Sequence, residues 1–194
     1  MPENNVVAAE INVSRPDGEV LSPAGPWSRF FARAFDNCLV CMAGFVVIML
    51  SGLEQAYLER HSFLLCWLLL SGWIIIEACL LSVFGATLGK GILNISVVRS
   101  DGGELRYPQT LQRSLRVWLW GLGMALPLLS LIGNVLAYNR LKRVGATTWD
   151  EKGGFFVMQG PIGFWRIFFF IIAIPLVWVG LVLMSLAVQL VRAI

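Results

Sequence analysis

Charge is what this chain has least of. Asp, Glu, Lys and Arg make up 14% of its 194 residues, against about 25% in a soluble domain, which excludes an ordinary wetted surface. Histidine is nearly absent, His61 being the single one. That leaves no serine–histidine–acid set and no histidine-based metal cluster, so neither an enzyme, a metal nor a cofactor is expected. The four cysteines, Cys38, Cys41, Cys66 and Cys79, all fall in apolar stretches. Cys38-x-x-Cys41 elsewhere suggests zinc or redox chemistry, but without neighbouring ligands the pair reads as small packing residues. The net charge of +3 is small and scattered, which speaks against nucleic acid as a partner. No internal repeat stands out.

Hydrophobic residues, at 57%, are abundant instead, and they gather into runs long enough for a lipid bilayer to be the partner. Cys38 to Leu53 is short for a span, and starting its helix near Arg29 restores the length. Phe63 to Phe84 spans easily and holds one acid, Glu77. Val117 to Ala137 is punctuated by Gly121, Gly123, Pro127, Gly133 and Asn134. Ile167 to Leu190 is apolar almost throughout, with Pro175 as its expected kink. Residues 1 to 28 are polar, proline-containing and unlike a cleavable signal; they read as a flexible tail. Between the second and third runs, alternating apolar residues around Asp101-Gly102-Gly103 suggest a short hairpin at the membrane surface. The tryptophans near segment ends, Trp27, Trp118, Trp120, Trp149 and Trp165, suit headgroup depth.

Lysine and arginine counts set the expected orientation. Arg29 and Arg33 precede the first run, Lys90 to Arg116 follow the second, and Arg140, Lys142 and Arg143 follow the third. All three regions ask to be cytoplasmic. Two readings of residues 117–137 stay open: a broken segment that enters and returns, or a kinked span.

Arg29, Arg33 and Asp36 stand at helical spacing over the threshold of the first run. An acid in the apolar zone costs on the order of 2.5 kcal/mol or more, and a guanidinium offsets part of that. Arg33 is the expected partner of Asp36. Glu77 is a functional acid, a protonated one, one paired with an arginine such as Arg33, or one beside a local water-filled dimple. Asp150 is either a solvated cap or a partner for Arg29 or Arg33. Gly85 to Lys90 has the wrong spacing for a phosphate-binding loop, and it reads as a tight exit turn with Lys90 at headgroup depth.

These residues also carry a resemblance. Arg29-x-x-Ala32-x-x-x-Asp36 resembles the opening of the RDD family of small bacterial membrane proteins, named for one arginine and two aspartates. Gly85-x-Thr87-x-Gly89-Lys90 is similar to the family's stretch after its second span. A strand-like segment, a D-G-G turn and an arginine at Arg113 or Arg116 follow in order, and Asp150 stands for the second aspartate. Trp149 occupies a position where members often have histidine, so a histidine-based role is not expected here. The match runs from about residue 26 to 158. It implies a bacterial inner (cytoplasmic) membrane protein with a cytoplasmic N-terminus, in a family for some of whose members cation/proton antiport has been proposed.

The expected fold is therefore an all-α polytopic membrane protein with three or four transmembrane helices, a broken or re-entrant third segment and a short membrane-surface β-hairpin. Residues 1–26 form the tail, 27–160 the RDD-like membrane domain and 161–194 a C-terminal transmembrane helix. Two functions follow. Asp36 and Glu77 carry a proton or monovalent cation, with a homo-oligomer enclosing the pathway, or the chain is a non-catalytic subunit or scaffold docking a membrane-protein partner.

Overall fold

The architecture is that of a computed structural model describing residues 13–14, 20–51 and 55–193. Most of the tail expected over residues 1–26 lies outside the described residues. Its end does not: Val20–Pro23 forms a strand, β2, paired to a two-residue strand β1, Val13–Ser14.

Pro26 opens the first long helix, α1 (Pro26–Leu50), at a position where its missing N–H leaves no bond unmade. α2 (Gln55–Phe84) follows, then a five-residue helix α3 (Leu88–Ile92) and strand β3 (Ile95–Arg99). α4 (Tyr107–Arg116) runs on into a π-helical turn at Val117–Gly121 and a 3-10 turn at Gly123–Ala125. α5 (Pro127–Val144), a short α6 (Thr148–Gly153), strand β4 (Phe155–Gln159) and the long α7 (Phe164–Ala193) complete the chain. Two stretches, Pro26–Ile48 and Arg60–Phe84, are long and apolar enough to cross a bilayer.

The fold is mostly helical but not all-α. The expected hairpin is corrected: Asp101-Gly102-Gly103 does turn the chain, yet no strand follows it. β3 pairs instead with β4, antiparallel, and the sheet order is β1-β2-β4-β3. Ile95, Val97, Phe155 and Val157 point from one sheet face into a core with Ala32, Leu81 and Phe170. Burial of that face selects the distant partner over the adjacent one, because a two-stranded hairpin alone is marginal in water.

A local structural repeat accompanies this pairing, where the sequence suggested none. Gly85-Ala86-Thr87 recurs sixty positions later as Gly145-Ala146-Thr147. Gly85 and Gly145 both adopt positive φ, +68° and +76°, ending the preceding helices. Thr87 and Thr147 are then extended and start short helices that lead to β3 and β4. Ile95 pairs with Gln159, Val97 with Val157 and Arg99 with Phe155. A sixty-residue shift converts the first of these pairs into the last, so a local twofold passes through Val97–Val157.

Residues 117–137 fold back on themselves. The Trp67 indole N–H donates to the Met124 carbonyl at 3.1 Å, and the Thr110 hydroxyl donates to that of Ala78 at 2.9 Å. Eleven residues of α2 separate those contacts, roughly 16 Å at about 1.5 Å per residue. From the break, α5 returns. A Cβ on Gly133 would sit 2.4 Å from the Trp120 carbonyl oxygen, so only glycine lets the two limbs touch. Trp118 and Trp149, expected at an interface, are both buried within the protein.

Candidate functional site

Beneath the sheet, the start of α1, the end of α2 and the short helices bring together three carboxylates and four cations. Asp36 is buried, and Arg33 is not its partner, which corrects the expected pairing. The Thr87 hydroxyl donates to one carboxylate oxygen at 2.5 Å and the Gly89 N–H to the other at 2.7 Å. These donors come from the first turn of α3, whose N–H groups have no partners within their own helix. A Cβ on Gly89 would lie 2.3 Å from the Ala32 carbonyl oxygen, and Ala32 itself is fully buried. Ala32 and Gly89 are therefore small so that the α3 backbone can reach Asp36. The left-handed Gly85 turns the chain out of α2 for that approach.

Lys90, expected at headgroup depth, is buried instead. Its ammonium donates to Glu77 at 3.0 Å, so the partner of Glu77 is Lys90 rather than Arg33. Burial pushes the Lys90 ammonium below the ordinary lysine value, and the Glu77 charge opposes that.

Asp150 is the most engaged acid. One oxygen accepts from Arg113 Nε at 2.8 Å and forms an ion pair with its Nη2 at 2.7 Å. The other accepts from Arg29 Nη1 at 3.3 Å and the Thr147 hydroxyl at 2.7 Å. Arg29 also donates to the carbonyls of Ala24 and Val157, at 3.0 and 3.2 Å, tying the start of α1 to β4. Arg113 lies over the Phe155 ring, 5.9 Å from its centroid.

Arg33 stands apart. Its guanidinium carbon lies 5.7 Å from the centroid of Trp149, within cation–π range, and no hydrogen bond or ion pair joins it to another described residue. A Cβ on Gly121 would come 3.2 Å from its Nη1, so the glycine at the turn leaves room for the arginine. Arg33 and Asp36 diverge because side chains three positions apart on a helix still differ by about 60° in direction, enough to face α3 on one side and α6 on the other.

A cavity of about 480 Å³ lies against this cluster, with Trp27, Arg29, Arg33, Arg113, Tyr138 and Asp150 in its walls. Each of the three carboxylates has a fixed donor. No group of three His, Cys, Asp or Glu side chains among the described residues could hold a metal ion.

Of the residues anticipated from sequence, the fold joins Arg29 to Asp150 directly, Asp36 to Thr87 and Gly89, and Glu77 to Lys90. Arg113 was left undecided against Arg116, and Thr147 was not anticipated. A signal for Arg113 exists in the spacing of Thr110, Arg113, Ser114 and Val117, which forms one helix face of small or apolar residues with a cation among them. All four are buried.

Residues 23–191 match the RDD family. Compared with curated proteins and with solved structures, the chain finds no match. The family match takes in the C-terminal helix that the motifs alone did not reach. With the family match covering most of its length, the chain belongs to the RDD family.

Proposed function

We propose that this chain is a multi-pass membrane protein whose sheet layer faces the cytoplasm, and that it acts as a non-catalytic membrane module or scaffold. Its charge network then clamps the helix heads together and carries no ion. The support for membrane placement is that only 22% and 17% of the two apolar windows are buried, unlike core helices of a water-soluble fold. Placing the sheet side inward puts Arg99, Arg106, Arg140 and Lys142 in the cytoplasm and makes the folded-back segment re-entrant, which removes the conflict over residues 117–137.

The observation that carries the scaffold reading is that Asp36, Glu77 and Asp150 each hold a donor from the protein itself. A carrier carboxylate must instead exchange its partner in each cycle. In liposomes the purified protein is expected to exchange no sodium or potassium for protons beyond the rate of empty vesicles. A partner should co-purify in fixed ratio from native membranes, and recovery of the bare chain counts against docking.

The second reading, cation/proton transport, draws on the placement of the buried Glu77–Lys90 pair, whose lysine reaches the cavity. Proton-coupled flux that disappears in Glu77→Gln would establish it in place of the scaffold.

A further inference from the structure

The chamber beside the charge network holds more positive charge than its neighbours cancel. Arg29, Arg33, Lys90 and Arg113 all line it, and Asp150 is the one carboxylate in its walls among the described residues. Asp150 is shared by Arg29 and Arg113, and Lys90 is held by Glu77. Asp36 turns away toward Thr87 and Gly89. Among the described residues, four cations against three carboxylates leave one charge over, and the contacts assign it to Arg33. A second donor is also unfilled. Arg113 is 2% exposed, and its Nη1 has no hydrogen-bond partner. A buried, charged donor without an acceptor is costly; Arg113 Nη1 is in that condition, and the half-buried Arg33 stands beside it in the same wall without an ion pair.

We infer that this chamber binds the phosphate group of an anionic ester, with Arg33 and the free Nη1 of Arg113 as its donors. Guanidinium forks match phosphate oxygens in pairs. The volume, about 480 Å³, falls in the range of about 300–1,000 Å³ typical of small-molecule sites and exceeds what a bare inorganic ion fills. Apart from Asn134 and Thr147, the remaining wall is apolar and aromatic: Trp27 packs against Phe30 and Tyr138, with centroids 6.2 and 5.9 Å apart. That wall suits the organic part of an ester. Two sources share this chemistry, a lipid headgroup and a free phosphate compound. The lipid source rests on the membrane placement proposed above; the free source does not.

The test uses the full chain, stripped of lipid in a neutral maltoside detergent. One arm titrates inorganic phosphate, another phosphatidylglycerol in mixed micelles, and a neutral glycolipid is the control. Binding is read by calorimetry and by the shift in unfolding temperature. Wild-type protein is expected to bind in at least one of the first two arms. Arg33→Gln is expected to weaken that binding at least tenfold, and Arg33→Lys, which keeps the charge but loses the fork, by less. Because Arg33 holds no ion pair, ligand-free Arg33→Gln should unfold at or above the wild-type temperature. Binding of phosphatidylglycerol without inorganic phosphate identifies the headgroup; binding of inorganic phosphate identifies the free compound. No binding in either arm, equal binding by Arg33→Gln, or an Arg33→Gln chain that cannot fold overturns the inference. Each of these leaves membrane placement untouched, since side-specific labelling tests that separately.

Discussion

At the scale of single residues, Asp150 and Gly89 hold the cluster by different means. Asp150 balances two guanidinium groups while nearly sealed from solvent. Asp150→Asn is expected to lower stability by about 3–5 kcal/mol, because removing one partner leaves charge buried and uncancelled. Denaturant unfolding in detergent measures it. Adding Arg113→Met should recover part of the loss, since the two positions are coupled; a double variant with the two losses simply added would break the pairing account. Gly89 acts through the absence of a side chain. Gly89→Ala is expected to cost about 1–3 kcal/mol, and adding Ala32→Gly should not restore it, because the clash is with the Ala32 backbone oxygen. The sequence made Asp36 and Asp150 conspicuous and offered Arg29 among the partners of Asp150, but it did not point to Thr87 and Gly89 for Asp36. Partner choice between Arg33, Lys90 and Arg113 depends on side-chain direction and on where distant turns return.

At the scale of elements, two helix ends and two strands form matched units around the Val97–Val157 pair. They diverge where charge matters: the third residue after Thr87 is Lys90, whereas the third after Thr147 is Asp150. That opposite choice, with few identities beyond Gly-Ala-Thr, hid the structural repeat from a reading of sequence alone. The fold-back relies on Gly133, and Gly133→Ala should separate α5 from the π-helical turn, lowering the unfolding midpoint by the equivalent of about 1–3 kcal/mol. Outside the helices, the turn after β3 has its own pH response. The Gly103 N–H, at 3.0 Å, holds the exposed Asp101 carboxyl below the usual aspartate range, helped by Arg99. A native value below the unfolded one means this support is present above the ordinary aspartate range and is lost as pH falls through the lower native value. Protection of the Gly103 amide, its exchange rate taken relative to the intrinsic rate at each pH, should fall in that acidic window and stay level between pH 5 and pH 8.

For the whole molecule, the decisive geometry is that Arg113 and Asp150 meet across the intervening segment. Both ends of residues 117–144 therefore lie in one layer with the sheet. In a cysteine-free background, Ser100→Cys and Arg140→Cys should react with an impermeant thiol reagent from the same side of the membrane, in inside-out vesicles and not in right-side-out ones. Labelling of position 140 from the opposite side would contradict re-entry. The basic loops on either side of this segment announced the problem from sequence. The fold-back itself needs Gly133 to lie against the Trp120 carbonyl, a contact that no hydropathy window contains.

The sequence by itself determined the apolar segments, the scarcity of charge, the motif residues and the family they belong to. Those properties are local or additive along the chain, and so can be summed from residue types. Tertiary structure alone decided that β3 finds β4, that Asp36 is held by a helix start, and that Arg33 is left facing a chamber. Each of those depends on the relative placement of segments tens of residues apart, where burial and directional hydrogen bonding select one partner among several that composition makes equally available.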